Sequence, residues 1–164
     1  INMRIPKGCV YGLLGANGAG KSTLMKILCG MTRADAGEVF FDGKIWSRKC
    51  IERMGLIELP PVYENLSAVD NLKVRTWTLG ISDARILEVL DIVDLKNTGK
   101  KQVGKFSMGM KQRLGIAVAL LNDPDFLILD EPANGLDPFG IRQLREMLVS
   151  FAESGMTVLV SSII

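Results

Sequence analysis

Residues 10–28 read VYGLLGANGAGKSTLMKIL. Gly12, Gly15, Gly18 and Gly20 fall within nine positions, Lys-Ser-Thr follows, and an apolar periodic run comes next. Gly15-Ala16-Asn17-Gly18-Ala19-Gly20-Lys21-Ser22 meets every fixed position of G-x-x-x-x-G-K-[ST], the pattern of a loop that cradles phosphate. The flanks agree. GCVYGLLG is a short apolar run that suits a buried strand. From Lys21 to Met31, Leu24, Ile27, Leu28 and Met31 recur at helical spacing and Gly30 closes the run. Strand, glycine loop and helix together put backbone N–H groups and a positive helix terminus around an anion. The expected phosphate contacts are Gly15, Asn17, Gly18, Ala19, Gly20, Lys21, Ser22 and Thr23. Lys21 would reach the β- and γ-phosphates and the Ser22 hydroxyl would ligate Mg²⁺. The plainer alternative is a glycine-rich turn that binds nothing.

Phosphoryl transfer also needs a metal held in place and a water aligned for attack. FLILDEP, residues 126–132, offers both. It reads as a buried strand ended by Pro132. Asp130 is placed to join the Mg²⁺ shell and Glu131 to orient and deprotonate the water. Taken alone, the pair could simply begin a polar loop; the phosphate loop upstream favours the catalytic reading.

Elsewhere, residues 37–46, GEVFFDGKIW, read as two strands about an Asp42-Gly43 turn. Pro60-Pro61 breaks the chain. Ala84 to Leu95 and Met108 to Leu121 are helical, as is Ile141 to Phe151, and MTVLVSS is a second buried strand. Strands alternating with helices imply a parallel α/β sheet with crossovers. The expected core is 1–58 with 122–164, interrupted by a helical subdomain over 59–121. Tyr11, Trp46 and Trp77 are expected to be packing residues.

Composition sets limits. The chain has 164 residues, 48% of them hydrophobic and 23% charged, which is ordinary for one globular domain. A net charge of +2 without a block of like charge gives no sign of nucleic-acid binding. No apolar stretch reaches the roughly 18 residues of a membrane span. Cys9, Cys29 and Cys50 lack metal spacing and are expected to be reduced and inert. The absence of a starting Met and the apolar final run suggest a fragment truncated at both ends.

These motifs together resemble the nucleotide-binding domain of ABC transporters. FSMGMKQR (106–113) stands at the family's signature, NGLD (134–137) at its D-loop, and GLIELPPVYENLSAVDNL (55–72) at its coupling loop and the start of its helical subdomain. The resemblance implies a P-loop NTPase fold of the RecA-like, ABC ATPase type, with ATP and Mg²⁺ as ligands. It implies that Ser107, Gly109 and Met110 contact the ATP of a partner subunit, with Asp137 in the D-loop. It also implies a head-to-tail pair of ATP-binding subunits, integral membrane permease subunits, and a cytoplasmic place on the inner face of the membrane. Glu58 stands where the family's coupling loop centres on Gln, and would add a carboxylate near the metal. Glu58 and the Gly-Met-Lys-Gln-Arg signature resemble the bacitracin-resistance and lantibiotic-immunity branch, which implies export of, or immunity to, a peptide antibiotic. A non-transport ABC-type ATPase and a degenerate ATP-binding dimerisation module are the alternatives. Ile163 stands where the family's switch histidine follows Ser-Ser, and the chain contains no His. Isoleucine has no hydrogen bond to give a γ-phosphate.

Overall fold

The computed structural model describes residues 1–57 and 62–162. Four strands form one parallel sheet: β1 (Val10–Leu14), β4 (Met54–Ile57), β5 (Phe126–Leu129) and β6 (Thr157–Ser162), in the order β1-β6-β5-β4. The register aligns their C-terminal ends, with Leu14 opposite Ser162, Leu129 opposite Val160 and Ile57 opposite Leu129. Loops far apart in sequence therefore leave the sheet at one edge, where open parallel sheets bind ligands.

β5 is buried along its length and β6 nearly so, because apolar layers cover both sheet faces. On one face, Leu127, Leu129 and Val158 share a cluster with Leu72, Val89 and Leu114 from α2 (Ala68–Leu79), α3 (Asp83–Ile92) and α4 (Met108–Leu120). Leu144 and Leu148 of α5 (Pro138–Glu153) join it. The alternate residues Phe126, Ile128 and Leu159 face Met25 and Cys29 of the α1 segment (α1, Lys21–Leu28). A small antiparallel hairpin, β2 (Phe40–Phe41) and β3 (Lys44–Ile45), lies apart from the main sheet in pairing. Asp42 and Gly43 both have positive φ, 57° and 76°, as a type I′ turn requires. Arg53 ties this hairpin to the sheet through Asp42 and Asp125.

Several expectations need correction. β1 is an edge strand, not a buried one: Tyr11 and Leu13 pack inward while Val10 and Leu14 are exposed. α1 ends at Leu28, and its buried stripe is Lys21, Met25 and Cys29; Met31 is exposed. Gly30 does close it, at φ 69°, with the Trp46 indole where a Cβ would stand. β5 stops at Leu129, three residues before Pro132, because Glu131 turns the chain with a left-handed φ of 47°. Trp77 is 77% exposed and is not a core residue. β4 and α2 were not legible in the periodicity.

Candidate nucleotide site

The phosphate loop follows β1 and leads into α1. Gly20 is the N-cap at φ 88°, a left-handed conformation that suits glycine, and it caps without a side chain. The amides of the first turn therefore keep no intrahelical acceptor and face outward. Lys21 is the first residue of α1 and is only 7% exposed. A buried ammonium needs partners. Its Nζ donates to the Gly15 carbonyl at 2.7 Å and the Ala16 carbonyl at 3.0 Å, and lies 3.7 Å from Glu131 Oε1. Asn17, Gly18, Ala19, Gly20, Lys21, Ser22, Thr23 and Glu131 line one cavity of about 170 Å³.

Glu131 reaches that cavity from β5, across the intervening β6. Its other oxygen, Oε2, accepts from Asn134 Nδ2 at 2.5 Å. Its backbone N–H donates to Ser161 Oγ at 2.7 Å. The same Ser161 hydroxyl donates to Asp130 Oδ1 at 2.5 Å. Glu131 thus has its carboxylate held between Lys21 and Asn134, and its backbone pinned to β6.

The signature residues gather at a second place. Ser107 is the N-cap of α4, and its Oγ accepts from the Met110 N–H at 3.2 Å. Asp137 caps α5, accepting from the Gly140 N–H at 2.7 Å. Ser107, Gly109, Met110 and Asp137 line a cleft of about 470 Å³, with Arg113 and Gln143 at its wall. This cleft and the phosphate-loop cavity share no lining residue. Glu58 and Ile163 lie outside the described residues. Asn134 and Ser161 were not singled out as site residues in the sequence. For Ser161 the available signal was a polar residue ending an apolar strand.

A family model described as ABC transporter matches residues 1–134, and close relatives agree with it. The lantibiotic transport ATP-binding protein SrtF of Streptococcus pyogenes is 56% identical over 163 residues, covering 99% of this chain and 71% of that protein.

The chain belongs to the ABC transporter family.

It is an ATP-binding cassette, an ATP hydrolase coupled to transport. The bacitracin transport ATP-binding protein BcrA of Bacillus licheniformis is 44% identical over 171 residues, covering 99% of the cassette and 55% of that protein. Among solved structures, cbiO1 from Clostridium perfringens, part of the cbiONQ transporter complex, superposes with a TM-score of 0.88 at 30% identity. That match covers 100% of the cassette and 70% of cbiO1. The ATP-binding cassette MJ0796, dimeric and bound to ADP and Pi, superposes at 0.82 with 26% identity, over 99% of the cassette and 78% of that chain.

Proposed function

We propose that this cassette powers a membrane exporter of peptide antibiotics, giving immunity to a lantibiotic- or bacitracin-type compound. The names of the relatives SrtF and BcrA support the substrate class. Integral membrane permease subunits form the pore in this reading, with the cassette at their cytoplasmic side; among the described residues no helix is long and apolar enough to cross a membrane. In this reading the helical segment 59–121 is a subdomain that carries the signature to the partner's ATP, and Glu58 contacts the permease and lies near the metal.

The observation that carries the chemistry is the shared cavity of Lys21, Ser22 and Glu131 at an open helix terminus. The loop from Gly15 to Thr23 would hold the triphosphate through its amides. Lys21 would exchange the neutral Gly15 and Ala16 carbonyls for phosphate oxygens, so that the acceptor as well as the donor is charged and the bond is stronger. Glu131, acceptor-only when ionised, takes the proton of the attacking water. The Ser22 hydroxyl and Asp130 carboxylate are hard oxygen donors, the kind Mg²⁺ prefers, and with phosphate oxygens and water they fit it. When bound, Mg²⁺ neutralises charge on the β- and γ-phosphates.

Lys21→Ala is expected to lower ATP affinity by about a hundredfold or more, since one charged hydrogen-bond partner of a phosphate is removed. Equilibrium binding of a fluorescent ATP analogue measures it, and unchanged affinity would refute the site. For the substrate class, deleting the gene should sensitise its host to a lantibiotic or to bacitracin. Unaltered sensitivity to both classes would refute the proposed substrate.

A further inference from the structure

Ser161 has 0% exposure. By strand alternation it shares the sheet face of Leu159, which packs against Met25 and Cys29. An apolar side chain would suit that face, and a hydroxyl there must be fully partnered. It is: Oγ accepts from the Glu131 N–H and donates to Asp130 Oδ1. A serine hydroxyl has one proton, so one atom serves the side chain of Asp130 and the backbone of Glu131 in opposite senses. Glu131 is held at φ 47°, a region that L-residues with a Cβ disfavour. The hydrogen bond from its amide is a reason it stays there.

We propose that Ser161 is a positioning residue for ATP hydrolysis, which sets the carboxylate of Asp130 for the divalent cation and the backbone of Glu131 for the attacking water through one hydroxyl. This rests on the roles given to Asp130 and Glu131 above. Ser161 itself touches neither nucleotide nor cation. Removing its hydroxyl frees the Asp130 carboxylate to rotate and takes away the acceptor of the Glu131 amide.

The test uses the full-length protein with Ser161→Ala, Ser161→Cys, Ser161→Thr and Asp130→Asn. Cys keeps the size of Ser and bonds poorly; Thr keeps the hydroxyl and suits a strand. Binding of a fluorescent ATP analogue is measured without divalent cation and then through a Mg²⁺ titration, beside ATPase rates and melting curves. In the Ala and Cys variants the cation-free affinity should stay near wild type. Their half-saturating Mg²⁺ concentration should rise, and kcat fall, by about tenfold, the scale of losing a group that orients a metal ligand. Ser161→Thr should recover most of both. A wild-type Mg²⁺ midpoint and kcat in the Ala and Cys variants, even with a lower melting temperature, would overturn the proposal. If Asp130→Asn shifts the Mg²⁺ midpoint and these two do not, the role of Ser161 alone has failed. If Asp130→Asn also leaves it unmoved, the metal role of Asp130 has failed.

Discussion

Lys21 shows how one residue joins fold and chemistry. Its stem fills the buried stripe of α1 with Met25 and Cys29, and its ammonium faces the loop. Cys29, on the same stripe, is expected to be unreactive for a physical reason: burial raises its thiol pKa from 9.0 to about 11. Because the folded pKa is the higher one, this contribution to stability is intact below the unfolded value. It is lost as pH rises from 9.0 to about 11, by about 2–3 kcal/mol in all. Iodoacetamide at about pH 8.5 should therefore label the half-buried Cys9 and Cys50 before Cys29. Mass spectrometry of the labelled peptides checks this, and early modification of Cys29 would count against it. Ile163 poses the opposite case, an inert side chain where a donor is expected. Restoring it with Ile163→His should raise the steady-state ATPase rate at saturating Mg-ATP by at least about tenfold, or roughly 1.4 kcal/mol of barrier. Equal rates would mean that hydrolysis here does without a donor at that position.

The elements meet tightly enough to be tested by single methyl groups. A Cβ on Gly55 of β4 would stand 2.8 Å from the Ala119 carbonyl oxygen and 3.1 Å from Leu127 Cδ1. That glycine lets α4, the helix carrying the signature, lie directly on the sheet. Gly55→Ala should cost about 1–3 kcal/mol, the usual range for overpacking. Urea unfolding measures it, and a loss below about 0.5 kcal/mol would show that α4 moves aside freely. The same contact explains what the sequence hid. β4 has four residues, one of them glycine, and it exists through pairing with β5 and cover from α4, so it leaves no period of its own. α2 was hidden in a similar way, although Ser67 and Asp70 form its start: the Ser67 hydroxyl accepts from the Asp70 N–H at 3.1 Å and donates to its carboxylate at 2.6 Å. By contrast, the Asp42-Gly43 hairpin, α3, α4 and β6 were legible because local turn chemistry and apolar spacing agreed with their tertiary setting. In the site, the glycine loop and the Asp130-Glu131 pair were legible as motifs. The clamp from Ser161 depends on strand register, which no local pattern records, and that from Asn134 depends on the left-handed turn at Glu131, three residues before it.

Across the described residues, the two features proposed to face phosphate are separated. The open terminus of α1 and Glu131 share one cavity, while Ser107, Gly109 and Asp137 line another. A twofold pairing of two copies, head to tail, would set the signature of each on the loop of the other. ATP would then bridge the interface, and its hydrolysis would release it. The mass of the full-length Glu131→Gln protein, measured by light scattering with and without saturating Mg-ATP, tests this most directly. The variant keeps the shape of Glu131 and lacks its base, so the expected result is a monomer alone and a stable dimer with Mg-ATP. A variant that binds ATP and yet remains monomeric would contradict the account.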